Sequence, residues 1–359
     1  MKRIIALVLA LSLVLTLAAC GAETASSVAP ISAPEAEPLL FTDDCGREVT
    51  IPAQITRIVP SGPLAQMILF AIAPDMVVGL ASKWYDNAQG IIPQEYLDLP
   101  YLGQLYGSAD LNVETLALAD PQLIIDIGAE MSSGSEDMDT LQQQTGIPSV
   151  FISASLEAMP ETFRKLGTLL GREEKGEELA RFCEKVYDRT ASIMEQVGDN
   201  KISALYILGE EGTNVLAKGS YHSELLDLLT DNLAVVENPL SKGTGNEVGM
   251  EQISLWNPEF LIFAPGGVYS SVMEDPLWSG LSAVSSGNYV EVPDAPHNWM
   301  GTPPGVQRYL GLIWLTAVLY PDYCDYDVKA EVMEYYRLFY GADLTEEQYA
   351  DLTANAFLR

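Results

Sequence analysis

"VETLALADPQLII", Val113 to Ile125, and "MEQISLWNPEFLI", Met250 to Ile262, lie over one another without a gap at a single offset of 137 residues. Glu114 falls on Glu251, Leu118 on Leu255, Pro121 on Pro258 and Ile125 on Ile262. In each copy Asn112 or Gly249 stands where a helix N-cap belongs, and a glutamate occupies the first turn. Leu118 and Leu255 are expected to face inward. Pro121 and Pro258 end the helix–strand turn, and "QLII" and "EFLI" read as buried strands. One helix–turn–strand unit written twice, so far apart, predicts two halves of similar design.

The rest of the chain fits that reading. "LLFTDDCGREVTIP" suggests a small hairpin around Asp44-Cys45-Gly46. The short β-rich runs "RIVP", "MVVGL", "QLIIDIG" and "SVFIS" alternate with helical stretches such as Leu64 to Ala73. Such alternation marks an α/β half with a largely parallel sheet. Between Glu173 and Val197, Leu179, Phe182, Cys183, Val186, Thr190, Ile193, Met194 and Val197 recur at three- and four-residue spacing, which predicts one long amphipathic helix. Beyond Gly198 the alternation resumes with "SALYILG", "LAVVE", "NYVEV" and a helical Gly305 to Leu319. The fold class expected is therefore α/β: two Rossmann-like lobes with largely parallel sheets, joined by one long rigid α-helix. The boundaries expected are an N-terminal lobe over 39–158, connecting helices over 159–198 and a C-terminal lobe over 199–359.

The first twenty residues are of a different kind. Lys2 and Arg3 precede an apolar run from Ile4 to Leu17, shorter than a comfortable membrane span and followed by small residues, so 1–20 reads as an export signal. Its end, Leu17-Ala18-Ala19-Cys20, resembles the lipobox of bacterial lipoproteins, which implies lipidation at Cys20. Residues 21–38 are rich in Ala, Ser, Pro and Glu and read as a disordered tether, holding the body about 25 Å from its anchor. Membrane attachment is expected through the lipid alone, on the extracytoplasmic face, at the cell surface or in the periplasm.

Fifty acidic against nineteen basic residues give a formal charge of −31, which argues against nucleic acid and anionic membrane surfaces as partners. Three cysteines besides Cys20 show no metal spacing. Cys183 sits on the apolar stripe as a buried thiol, and an exported chain permits, without requiring, a Cys45–Cys324 disulfide. Only two histidines, His222 and His297, are present, too few for the multi-histidine cage of a bare zinc or manganese ion. No G-x-S-x-G elbow, H-E-x-x-H or P-loop appears, so no enzyme is expected.

Ligands of open α/β sheets sit outside the carboxyl ends of the strands, which selects particular loops. Ser61 and Gly62 precede a helix and are candidates to offer backbone amides to an oxygen-rich anionic group, with an ordinary capped turn as the alternative. Trp84, Tyr85, Tyr106, Tyr269 and Trp299 are candidates for an aromatic wall. Lys83 and Arg308 are candidate counter-charges, Arg308, in the first turns of a helix, also reading as a surface or interlobe salt-bridge residue. His297 is a candidate ligating or hydrogen-bonding group, with a structural histidine as the alternative.

The lipobox and tether, "RIVPSG" followed by "VVGLAS", "LNVETLALADPQLII", the single long helix, "VGMEQISLWNPEFLI" and "PPGVQRYLGLIWLTAVLYPD" together resemble the substrate-binding proteins of bacterial ABC importers for iron–siderophore complexes, haem and vitamin B12. The likeness covers the chain from about Leu40 to about Tyr340. It implies a metal complex captured in the interlobe cleft and delivered to a permease dimer with its ATPase. It also implies that Glu114 and Glu251, at the outer tips of the lobes, dock onto permease arginines. The ligand is expected to be a metal chelate, with no resident cofactor, and the protein a monomer. "PPGVQRYLGLIWL" is also similar to members assigned to molybdate or tungstate, which leaves an oxyanion open as the alternative ligand.

Overall fold

The computed structural model describes residues 37–104, 112–129, 134–240 and 242–358. Residues from Pro38 onward form one compact unit. Strands β1 (Leu39–Thr42) and β2 (Glu48–Ile51) pair antiparallel as the expected hairpin. Asp43 closes its turn by accepting from the Cys45 and Arg47 amides, and the carboxylate pairs with the Arg47 guanidinium.

β3 (Ile58–Pro60), β4 (Leu123–Gly128) and β5 (Ser149–Ser153) make a parallel sheet in the order β3-β4-β5. These strands are almost wholly buried, as parallel strands covered on both faces must be. "MVVGL" adds only single bridges, Val77 to Ile58 and Leu80 to Tyr101, rather than a strand. Helices α1 (Pro63–Ile72), α2 (Val113–Ala119) and α3 (Gly134–Thr145) connect or flank the strands. α1 starts on Pro63, whose missing N–H costs nothing at a helix start.

α4 (Met159–Leu170) leads into α5 (Glu173–Val197), whose 25 residues span about 37 Å. The two cross tightly at Gly167 and Gly176, where a Cβ on Gly176 would stand 2.6 Å from the Phe163 carbonyl oxygen. Arg164 binds Glu161, Glu177 and Glu184, and Arg189 forms a two-pronged pair with Glu331. Cys183 is buried on this helix, and burial pushes its thiol well up. Cys45, Cys183 and Cys324 are all free thiols, so no Cys45–Cys324 disulfide forms.

After α5, β6 (Ser203–Leu208) pairs parallel with β8 (Asp231–Asn232) and β10 (Phe260–Phe263). β11 (Tyr289–Glu291) continues the sheet in parallel, while β7 (Asn214–Val215) and β9 (Asn246–Glu247) add an antiparallel edge. "LAVVE" is not a strand: pairing on that edge is confined to Asp231 and Asn232, and Val235 is exposed. Helices α6 (Glu224–Leu229), α7 (Met250–Trp256) and α8 (Arg308–Leu319) belong to this half, followed by α9 (Val328–Tyr335). All but one residue of α8 is buried, as a helix apolar all round should be.

The repeated unit is present in both halves. Asn112 caps α2 through the Thr115 amide, and Gly249 caps α7. Asp120 and Asn257 end the helices in the left-handed region, at φ of 46° and 42°, which short polar side chains tolerate. The inward positions, however, are Leu116 and Ile253, which are fully buried; Leu118 and Leu255 are 80% and 72% exposed. At about 100° per residue, a side chain two positions after a buried one points away from the core, so the inward expectation for these leucines is corrected.

One continuous hydrophobic core runs through both halves, from Ile58 and Val150 through Phe163 and Cys183 to Tyr206 and Trp314. The last part of the chain crosses back: Phe339 packs edge-on against Phe163 and Phe182. A shared core and a stiff connecting helix leave little room for hinge bending.

Candidate functional site

The two halves meet where the loop over 82–87, after the bridged segment of the first, touches residues 294–297, after β11 of the second. The imidazole of His297 lies 5.4 Å from the Trp84 ring and 5.7 Å from the Tyr85 ring, and Asn87 Nδ2 donates to the Asp294 carbonyl at 2.6 Å. Gly305 approaches Met67 on α1. A cavity of about 410 Å³ opens beside this junction, lined by Asn87, Gly266, Glu291, Asp294, Asp351 and Asn355 among others. It lies at the ends of β10 and β11, where the strand-end rule places a ligand. A larger groove of about 1000 Å³ runs along the connecting helix, lined by charged side chains such as Arg172, Glu177 and Lys185. Many of these are paired with one another or with neighbours, and the groove is remote from the strand ends, so it is not the candidate site.

The loop over 294–302 is held rigidly. Bridges join Asp294 to Asn298 and Asn298 to Thr302. Asn298 Nδ2 donates to Tyr206 Oη at 2.8 Å, its Oδ1 accepts the Met300 amide, and Tyr336 Oη donates to the Ala295 carbonyl. His297 is thereby fixed in a nearly closed environment, with neither ring nitrogen hydrogen-bonded. Burial pulls its pKa down to about 4, so it is a neutral base at physiological pH. Burial also raises the Asp294 carboxyl.

Several other buried polar atoms near the junction lack hydrogen-bond partners: Trp84 Nε1, Asn87 Oδ1, His222 Nδ1, Thr302 Oγ1, Gln307 Oε1 and Arg308 Nη2. A buried donor or acceptor left unmade costs about 1–3 kcal/mol; of these residues Asn87 lines the cavity. Among the described residues no three His, Cys, Asp or Glu side chains converge on one point. His297 therefore has no such cluster around it among the described residues. His222, depressed by burial and by the Arg308 charge, is likewise neutral.

The residues expected to bind ligand fare unevenly. Trp84, Tyr85 and His297 are brought together, and Lys83 stands exposed nearby, 5.6 Å from the Tyr101 ring. Gly62 caps α1 with open space beside it. Ser61 is buried: its amide donates to the Ile125 carbonyl and its hydroxyl to the Asp126 carboxylate, so both donors are spent. Tyr269 packs against Phe263 and Tyr289 in the second half's own core. Trp299 is fully buried against Trp314, a core residue rather than a rim one. The aromatic wall therefore contracts to Trp84 and Tyr85. Arg308 is fully buried and pairs with Glu224 at 2.6 Å, its guanidinium facing the Tyr221 ring, so the salt bridge dominates and only Nη2 remains free. The pair lies within the second half, not across the lobes. Tyr106 and Cys20 lie outside the described residues. Thr302, Asn87 and Glu224 are not among the residues the sequence singles out, because a threonine or asparagine in a loop carries no periodic signal; Asn298 lies in the strand-end loop with His297. The Glu224–Arg308 pair spans 84 residues.

Two α/β sheets, joined by one long helix and opposed through their strand ends, define a cleft-type binding protein. Residues 90–296, more than half of the chain, match the family model described as periplasmic binding protein, and the chain belongs to that family. An ABC transporter solute-binding protein from Sulfurospirillum deleyianum is 26% identical, with a TM-score of 0.80 over 88% of this chain and 99% of that one. A periplasmic solute-binding protein from Veillonella parvula is 20% identical, with a TM-score of 0.73 over 89% and 98%. A molybdate periplasmic binding protein from Haemophilus influenzae shares the fold at 19% identity, with a TM-score of 0.70 over 86% and 99%. A search of curated proteins finds no match.

Proposed function

We propose that this chain is an extracytoplasmic, lipid-anchored binding protein that captures a metal complex, a ferric siderophore, haem or corrinoid, in the interlobe cleft and delivers it to an ABC permease. The observation that carries the ligand class is His297: a buried, neutral imidazole with both nitrogens unpartnered, flanked by Trp84 and Tyr85. Such a group suits an open coordination position on a chelated metal, while the flanking rings suit a planar or bulky chelate. Residues 39–158 and 199–359 act as lobes about the 159–198 connection. Cys20 carries the lipid, and Glu114 and Glu251 dock onto the permease. The protein works as a monomer and catalyses no reaction.

A second reading, a molybdate or tungstate ligand, is favoured by one specific observation. Trp84 Nε1, Thr302 Oγ1 and Arg308 Nη2 are hydrogen-bonding groups without partners that suit an all-oxygen anion. Against it stand the acidic side chains Glu291, Asp294 and Asp351 lining the neighbouring cavity. The test is visible absorption of haem and of a ferric bis-catecholate, which leaves two iron positions open, titrated with the protein and with its His297→Ala variant. Nitrogen ligation shifts the band in the parent and not in the variant. If neither complex binds while molybdate raises the melting temperature, the oxyanion reading replaces the first.

A further inference from the structure

The repeated unit carries a second shared feature besides its glutamate. Leu118 follows Glu114 by four residues and Leu255 follows Glu251 by four, so each leucine lies one helical turn from its glutamate on the same face. Both are among the most exposed large apolar side chains of the described chain, at 80% and 72%. One exposed leucine is ordinary. Two at the same register of two helices of equal length, each with a buried partner at the same inner position (Leu116 and Ile253), are a pattern. The glutamates are exposed too, and neither enters an ion pair among the described residues.

We infer that Leu118 and Leu255 form the apolar half of a duplicated docking surface for the two equivalent subunits of a dimeric membrane permease. This rests on the docking reading of Glu114 and Glu251 given above. Each permease subunit presents a basic side chain beside an apolar hollow, complementary to one acid and one leucine. Duplication of the pair on two lobes calls for a duplicated partner, and an unpaired acid on each lobe calls for a base. The division of labour follows from physics. An exposed ion pair adds little lasting affinity but steers encounter and sets orientation. A leucine seated in a hollow removes apolar surface from water and slows departure. Because both leucines point away from the core, replacing them leaves the fold and the cleft untouched.

The permease–ATPase complex of the producing organism, in lipid nanodiscs, is titrated with the full chain by biolayer interferometry. Leu118→Ser and Leu255→Ser should each weaken binding about tenfold, the equivalent of ~1.4 kcal/mol, mainly through faster dissociation. The double variant should lose about a hundredfold, with melting temperature unchanged. Glu114→Gln/Glu251→Gln should instead slow association and flatten its salt dependence. If the double serine variant binds within twofold of the parent while the glutamine pair fails to bind, the inference is overturned and the docking reading stands. If neither pair of substitutions alters binding, the docking reading itself is wrong. Self-association in sedimentation at micromolar protein, lost in the double serine variant, would assign the surface to a second copy of this chain and also overturn the proposal.

Discussion

Replacing Glu224 with Gln removes one charge and the oxygen that accepts from Arg308, at nearly unchanged volume. Glu224 Oε1 accepts the Leu156 amide at 2.9 Å, a bond that the glutamine carbonyl can still accept, while Oε2 accepts from Arg308 Nη1 at 2.6 Å. The Arg308 side chain is fully buried and that of Glu224 is 30% exposed. Glu224→Gln therefore strands a cation that water cannot reach, whereas Arg308→Met leaves a carboxylate that water can. Stranding a buried charge costs about 3–5 kcal/mol, and the partial exposure of Glu224 puts this case at the lower end, ~3 kcal/mol. For a compact body of roughly 320 residues, unfolding entropy of ~2.1 cal/mol/K per residue converts that loss into a melting shift of about 4–5 °C. Arg308→Met should shift melting by less than half as much, and the double variant should melt closer to the parent than Glu224→Gln alone, since no unpaired charge remains. Differential scanning calorimetry at pH 7 measures all three. A Glu224→Gln variant that melts within 1 °C of the parent would refute the argument that Glu224 neutralises Arg308.

Acid should destabilise the protein through its histidines. His297, at about 4, lies below the ~6.5 of an unfolded histidine, so between those values the unfolded chain binds the proton and the folded one does not. Stability should therefore fall by up to ~1.4 kcal/mol per pH unit from pH ~6.5 towards ~4, and His297→Gln should flatten the profile in urea titrations. His222, also lowered, contributes a slope of the same sign; Asp294, raised by burial from its ordinary 3.8, contributes the opposite sign from that pH upward and offsets part of the fall. A profile unchanged in His297→Gln would remove His297 as the source. Gly176→Ala should lose ~1–3 kcal/mol in urea melts, because its Cβ meets the Phe163 carbonyl despite alanine's better helix propensity; an unchanged midpoint would mean that the helices separate freely. Cys20→Ala should release the protein from the membrane fraction on immunoblots; undiminished retention would contradict lipid anchoring.

Most of the architecture was legible because it depends on periodicity. The apolar stripe of Glu173–Val197 predicted a helix of the observed length, and the duplicated turn chemistry at Asp120-Pro121 and Asn257-Pro258 located two equivalent strands. Leu118 and Leu255 face outward because the inward positions of these short helices are Leu116 with Ala119 in one and Ile253 in the other, which apolar composition alone does not single out. "MVVGL" and "LAVVE" carry strand-like composition, but their pairing reduces to isolated bridges or stops early. At the site, the strand-end rule located Trp84, Tyr85 and His297 without any contact information. It did not separate them from Trp299, since a tryptophan two residues after a rim histidine can turn inward against Trp314. The burial of Ser61 by Asp126, and of Arg308 with Glu224, depends on partners 65 and 84 residues away, which spacing does not reveal.

The central claim is that a single cleft takes one class of ligand, and Trp84 beside His297 reports on it directly. Tryptophan fluorescence of the parent, titrated in turn with a ferric tris-catecholate, haem, cobalamin and molybdate, should show saturable quenching by one class with one-to-one stoichiometry, and Trp84→Phe should lose most of the signal. Flat traces with all four, or quenching that does not saturate, would contradict the account.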